Sequence, residues 1–312
     1  SITTGRWRKL GHVYTANEPG GWRSSHAFVP TPLLMVDRIR VFSAFLDSDS
    51  VGRVGYVDVD LQTPTRVIAV SPEPVLDVGE PGTFDDCGAT PVQVLEQGAA
   101  LWLFYNGWQR SARVPYHILS GLAVSDDGGL SFRRASRVPV LERTDTSWLV
   151  RSTPFVLPPV VAGEPWRMWY SAGGGHVHRG AGAGWAPRYG IAYAESADGR
   201  GWPAVDQSVR IEMRDEEFGL TRPVVERDGD GFRMLLSVRS LDRIYTIERL
   251  RSRDGIEWTR EGEVDGLERS AQGWDSEMTA FPGVVTTPAG VYAFYNGNGY
   301  GRSGFGVARL ED

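Results

Sequence analysis

Four charged residues stand at odd offsets before prolines that recur along the chain, and their types could do acid–base work. The prolines fall in Thr31-Pro32, Thr90-Pro91, Thr153-Pro154, Arg222-Pro223 and Phe281-Pro282. Alternate residues of a strand share a face, so the first, third and fifth positions before each proline lie on one side. Asp86 and Glu277 are fifth, Arg151 is third and Arg222 is first. Core-facing strand positions are ordinarily apolar, so charge there calls for water, a partner or a ligand. Two carboxylates across a wet pocket can protonate a leaving oxygen and activate water or attack carbon. Two guanidiniums add forked recognition of a carboxylate or phosphate. Asp86 and Glu277 are therefore candidate catalysts, with Asp85 and Asp275 beside them. His26, Arg151 and Arg222 are candidate substrate contacts, joined by Trp108, Asn296 and Tyr300. The two aromatics offer faces on which a sugar could stack. The alternative for the charged set is arginine–carboxylate pairing that ties neighbouring strands together.

The elements that must hold these residues are read from repeats. The prolines are 59, 63, 69 and 59 residues apart, so five units span the 312 residues. Each proline is followed by a run such as Leu101-Trp102-Leu103-Phe104-Tyr105 or Val291-Tyr292-Ala293-Phe294-Tyr295, which reads as a buried strand. A third strand follows, as in Gly121 to Ser125. Three of these third strands end in one turn signature: Ser125-Asp126-Asp127-Gly128, Ser196-Ala197-Asp198-Gly199 and Ser252-Arg253-Asp254-Gly255. Fourth strands are expected over 132–141, 202–211 and 258–264. The last unit ends after its third strand, and Trp7 to Val13 resembles the missing fourth. The pattern predicts an all-β, five-bladed β-propeller of four antiparallel strands per blade. It would be one domain over 1–312, closed by the N-terminal strand joining the last blade. A β-sandwich or a six-bladed ring with one degenerate blade is the alternative.

Composition narrows the partners. Hydrophobic residues are 41% and charged residues 23%, enough for a packed core. The formal net charge of -6 argues against nonspecific binding to nucleic acid or an anionic membrane. No apolar run is long enough to span a bilayer. Lys9 is the only lysine, so any anion site must be built from arginine. One cysteine, Cys87, excludes an internal disulfide and paired-cysteine metal sites. The opening Ser1-Ile2-Thr3-Thr4-Gly5 carries no basic-then-apolar leader, which predicts a cytoplasmic location. His176-Val177-His178 puts two imidazoles on one strand face, but its Gly-rich setting over 173–184 reads better as a lid than as a metal site. No metal and no cofactor is expected.

The turn signatures, with Ser25 to Pro32, Thr83 to Gly88, Gly273 to Met278 and Phe294 to Gly301, resemble the five-bladed furanosidase-like superfamily. That superfamily holds glycoside hydrolase families 32, 43, 62, 68 and 130. The nearest resemblance is to family 43-like glycosylases encoded with surface-polysaccharide or natural-product biosynthesis genes. It implies a carbohydrate-active enzyme acting on a small-molecule or oligosaccharide substrate. Family 43 enzymes usually carry two of their three acids directly before strand-start prolines. Here Thr31, Thr90, Thr153, Arg222 and Phe281 stand there instead. The expected function is cleavage or transfer of a glycosyl unit bearing an anionic group. The alternatives are a biosynthetic lyase or cyclase on a non-sugar substrate, or a non-catalytic sugar-binding propeller.

Overall fold

The computed structural model describes residues 1–311. Among them are 22 strands and no helix. The first strand, β1 (Trp7–Tyr14), leaves at once for a distant partner. The next four, β2 (Ser25–Leu34), β3 (Arg38–Leu46), β4 (Gly52–Asp60) and β5 (Val67–Val70), pair antiparallel in chain order. Then come β6 (Ala89–Gln97), β7 (Ala100–Gln109), β8 (His117–Ser125) and the short β9 (Arg133–Arg134), again paired in order.

The third unit holds β10 (Val150–Leu157) and β11 (Trp166–Gly173). A separate hairpin of β12 (His176–His178) and β13 (Trp185–Pro187) interrupts it. It resumes with β14 (Gly190–Ser196) and β15 (Gln207–Ser208). A parallel pairing of β8 with β10 joins the second and third units into one eight-stranded sheet. The fourth unit is β16 (Glu217–Asp228), β17 (Gly231–Ser240), β18 (Ile244–Ser252) and β19 (Thr259–Glu263). The last is β20 (Ala280–Thr287), β21 (Gly290–Asn296) and β22 (Phe305–Leu310), with β1 completing the sheet beside β22. The fourth strands expected over 132–141 and 202–211 shrink to two residues each, because the chain departs from the sheet after Arg134 and before Gln207.

The turn signature works through its side chains. Ser252 Oγ accepts from the Gly255 amide at 2.8 Å, and Asp254 Oδ1 accepts from Ile256 and Glu257 at 2.9 Å. Gly255 sits at φ 80°, where a Cβ would be strained. Its carbonyl takes the indole N–H of Trp258 at 2.9 Å, which explains the aromatic spaced after the turn. Ser196, Asp198 and Gly199 repeat this capping.

A bulge before the proline decides where side chains point. Ladder register slips at Ser152/Phe155, Thr221/Val224, Ala280/Gly283 and Phe28/Thr31. Thr153, Arg222, Phe281 and Val29 all have positive φ, between 47° and 56°. The first unit therefore aligns through Val29-Pro30 rather than through Thr31-Pro32. A bulged residue breaks strand alternation, so the offsets one, three and five before the proline do not share a face.

Arg222 shows the consequence. Its side chain turns into the protein and is 2% exposed. The guanidinium donates to the carbonyls of Phe281 (2.9 Å), Pro30 (3.2 Å) and Val92 (2.8 Å) and to Thr31 Oγ1 (3.2 Å). Those oxygens belong to β20, β2 and β6. No carboxylate faces it among the described residues. Burial pulls its pKa down to about 9, while the four oxygens oppose that by favouring the charged form. Arg222→Met should strand three buried carbonyls at about 1–3 kcal/mol each. The expected result is a melting temperature lower by roughly 5–10 °C in calorimetry. A variant of unchanged or higher melting temperature would show that these strands do not depend on the guanidinium.

Candidate functional site

Three acids, Asp85 and Asp275 buried and Asp206 partly so, are bound up in a repeated Tyr–acid–cation group. Asp85 Oδ2 accepts from Tyr105 OH (2.8 Å) and from Arg134 Nε (2.6 Å). Asp275 Oδ2 accepts from Tyr295 OH (2.9 Å) and from Lys9 Nζ (2.8 Å). Asp206 Oδ1 accepts from Tyr170 OH and from Arg151 Nε at 2.9 Å. In each case the tyrosine is on the second strand of its unit and the cation lies beside its ring. Burial first, and the adjacent carboxylate next, hold the Tyr105 and Tyr295 hydroxyls above the usual phenol range. Arg134 and Lys9 come from the fourth strands β9 and β1, so the group also pins those strands to their sheets.

The structure places most of the candidate residues away from the cavities, on partners of their own. Asp85 and Asp275 are 0% and 2% exposed and spend their oxygens on these partners. Arg151 is 1% exposed and is held by Asp206, Tyr170 OH and the Glu142 carbonyl. Asp86 caps a local turn, accepting from the Gly82 amide (2.8 Å) and the Cys87 thiol (3.3 Å). Glu277 is exposed, tied only through its amide to Asn298. Asn296 is 0% exposed. Its Oδ1 accepts from the Val29 amide (2.8 Å), and its Nδ2 donates to the Ala27 (2.7 Å) and Gly304 (3.0 Å) carbonyls. His26 Nδ1 meets Ser25 Oγ at 2.7 Å. Asp86, Glu277, Asp85, Asp275, His26, Arg151, Arg222 and Asn296 line neither of the two adjoining cavities described next.

Trp108 and Tyr300 do line the larger cavity, of about 360 Å³. Asn106 on β7, Thr153 on β10 and Thr221 on β16 also line it. Thr153 Oγ1 is 3.1 Å from Thr221 Oγ1. Phe28 and Phe281 add aromatic wall, their rings edge to face at 5.3 Å. The β12–β13 hairpin supplies Arg179, Trp185 and Ala186. The segment expected as a lid is thus partly a two-stranded hairpin forming a wall.

Besides Asn106, Ser152, Thr153 and Thr221, the cavity's polar groups are tyrosines and arginines. Tyr116, Tyr189, Tyr245 and Tyr300 line it with Arg239 and Arg179, and no Asp, Glu or His joins them. Tyr189 and Tyr245 share a hydroxyl hydrogen bond at 2.7 Å. Burial lifts the Tyr245 hydroxyl well above its ordinary value, and the Tyr116 hydroxyl rises for the same reason. Arg239 is 9% exposed and forms no salt bridge among the described residues. Its guanidinium carbon lies 5.1 Å from the Phe218 ring, 5.3 Å from Tyr300 and 5.6 Å from Tyr245. Burial pulls its pKa down, but the four surrounding phenols outweigh this and leave it raised. Arg179 Nε is buried without a partner. The cavity therefore carries positive charge that no acid in its wall offsets.

Arg239 was readable from the repeat. Trp108 stands two residues after Asn106 on β7, and Arg239 stands two after Ser237 on β17. Asn106 Oδ1 and Ser237 Oγ do the same task, accepting the bulge amides of Thr153 (2.8 Å) and Phe281 (2.9 Å) in the next unit. Tyr116, Tyr189 and Tyr245 come from the starts of the third strands β8, β14 and β18, and Tyr300 from the loop before β22.

No protein-family model matches the chain. Two Mycobacterium tuberculosis proteins, "Uncharacterized protein MT1551" (strain CDC 1551) and "Uncharacterized protein Rv1502" (strain H37Rv), are similar to it. Each is 33% identical over 307 residues, covering 98% of this chain and 99% of its own. Among solved structures, one described under the family 130 mannoside phosphorylases and hydrolases of β-1,2 mannosidic linkages in Candida mannan is 15% identical. Its TM-score is 0.71, over 99% of this chain and 96% of that one. A glycosyl hydrolase from Bacteroides ovatus is 15% identical with TM-score 0.68, covering 100% and 97%. A thermostable family 43 glycoside hydrolase is 13% identical with TM-score 0.62, covering 96% and 91%. The all-β fold is thus shared with these solved glycoside hydrolases.

Two outcomes test the non-cavity assignments. Asp85→Ala leaves Tyr105 and Arg134 facing each other without an acceptor and should cost about 3–5 kcal/mol in denaturant unfolding. Full stability would contradict the structural role. His26 is shifted down to about 4, by burial first and by the Arg302 charge next. The unfolded chain then takes up this proton near its ordinary 6.5, before the folded chain does. Stability should fall as pH drops from about 6.5 to about 4 and level off below. His26→Asn tolerates the φ of 67° and removes the titration, so melting temperature against pH should be flatter in that window. An unchanged slope would assign the acid sensitivity to other groups.

Proposed function

We propose that this chain, which belongs to the family of the Mycobacterium tuberculosis proteins MT1551 and Rv1502, is a carbohydrate-active enzyme that binds a glycosyl unit bearing an anionic group in the 360 Å³ cavity. The observation that carries this reading is Arg239: a nine-tenths buried guanidinium without a carboxylate, in an aromatic cavity beside a second arginine. A buried charge of this kind costs free energy unless a counter-charge arrives, and a forked carboxylate or phosphate is the matching ligand. The rings of Trp108, Tyr300, Phe28 and Phe281 supply apolar faces for the sugar, and the tyrosine hydroxyls supply hydrogen bonds. The shared fold with glycoside hydrolases supports the substrate class.

In this reading the five sheet units are the blades of one ring and a single domain. The pairing of β1 with β22 and the reach of Asn296 to Val29 support closure between the last and first units. In this reading the catalytic groups are sought among the residues that line the cavity, where no carboxylate stands. The most acidic hydroxyls lining it are phenols, so Tyr116, Tyr189, Tyr245 and Tyr300 are the candidates for proton transfer to substrate. That observation favours a second reading, in which the enzyme is a lyase or cyclase rather than a hydrolase.

Calorimetric titration with methyl β-D-glucuronide and methyl β-D-glucoside tests the anion site. The glucuronide should bind more tightly, and Arg239→Met should weaken it about 10- to 100-fold while leaving glucoside binding within about twofold. Equal affinity for the two sugars, or an Arg239→Met variant that holds the glucuronide as well as the parent does, would remove the anion from the reading.

A further inference from the structure

A second cavity, of about 240 Å³, adjoins the first and shares Phe28, Trp108, Pro115 and Tyr116 with it as common wall. Its own lining includes Leu46, Gly52, Cys87 and Thr90. Its character is different. The Thr90 hydroxyl is taken by the Trp108 indole N–H at 2.9 Å, and the Cys87 thiol donates to Asp86 at 3.3 Å. Ser50 and Arg110 are the other polar side chains in its wall, Arg110 donating to the Asp49 carbonyl, and the remaining surface is mainly apolar. Trp108 and Tyr116 meet edge to face at 4.9 Å, and both line the two spaces. An apolar cavity of about 150 Å³ holds one benzene, so this one fits a single aromatic ring with a small substituent.

Resting on the reading of the larger cavity as an anionic-sugar site, we propose that the smaller cavity is a subsite for a planar aromatic group attached to that sugar. The substrate class is then an aryl glycoside of an anionic sugar. The charged unit faces Arg239, and the ring lies among Phe28, Trp108, Tyr116 and Leu46. Continuity carries the assignment: the two spaces share Phe28, Trp108, Pro115 and Tyr116, so one ligand bearing both groups spans them. Trp108 is the hinge of this arrangement because it lines both.

Cys87 makes the subsite testable, being the only cysteine and half-buried in its wall. Phenyl and methyl β-D-glucuronide are compared by calorimetry on the untreated protein, on protein alkylated at Cys87 with N-ethylmaleimide, and on Leu46→Phe. The phenyl compound should bind about tenfold more tightly, from burial of its ring. Alkylation and Leu46→Phe should each erase that gain and leave the methyl compound unchanged. A Cys87→Ser protein exposed to the same reagent should keep the gain. Equal binding of the two glucuronides, or a gain that survives both blocks, overturns the subsite while the sugar site stands. Failure of the untreated protein to bind either glucuronide overturns the anionic-sugar reading and this proposal with it.

Discussion

Everything near the centre of this molecule depends on one guanidinium buried without a counter-charge. Arg222 reaches carbonyls of three strands from three other units, and its amide is itself held by Thr153 Oγ1 at 3.2 Å. A charged donor in low dielectric makes strong hydrogen bonds, and carbonyl oxygens stranded there would be costly. Strands that share no ladder are thereby drawn together. The positive φ at Arg222 is what sends the side chain inward, and the following Pro223 permits it by donating no ladder hydrogen bond.

Around that centre the units are joined by a second device, also built on the bulge. At Thr153, Phe281 and Val29 the bulge amide is accepted by a side chain at the end of the preceding unit's second strand, Asn106, Ser237 and Asn296 in turn, while the Arg222 amide goes to Thr153 Oγ1 on the preceding unit's first strand. Ser43 stands at the same place in the first unit, and its hydroxyl is buried without a partner. The unit after it places its register shift beyond Pro91 rather than before it, so no bulge amide is presented.

The acids of the chain are largely committed to structure. Asp85, Asp206 and Asp275 anchor tyrosines and cations. Asp58 binds Arg40 at 2.8 Å, and Glu217 and Glu248 bind Arg260 at 2.7 and 2.8 Å. Removing one partner from such groups is expensive, which limits how freely they can serve a ligand. The cavity is left with arginine, phenol and aromatic surface, although the chain as a whole has net charge -6. Local charge, rather than net charge, sets what the site can accept.

The strand pattern, the proline spacing and the Ser-x-Asp-Gly turns were legible in the sequence because each is a local preference written over a few residues. So was the kinship of Trp7 to Val13 with a fourth strand, and so was the aromatic character of the cavity at Trp108 and Tyr300. The facing of side chains beside the prolines was not legible. A period of two predicts it only for an unbroken strand, and a single left-handed residue at Thr153, Arg222 or Phe281 inverts it. Asp85 and Asp275 looked free because their partners are remote in sequence, Arg134 lying 49 residues from the one and Lys9 lying 266 from the other. The cavity's charge was hidden for the same reason. Arg239, Arg179 and four tyrosines come from different units and loops, and only the packing of the sheets brings them to one space without an acid among them.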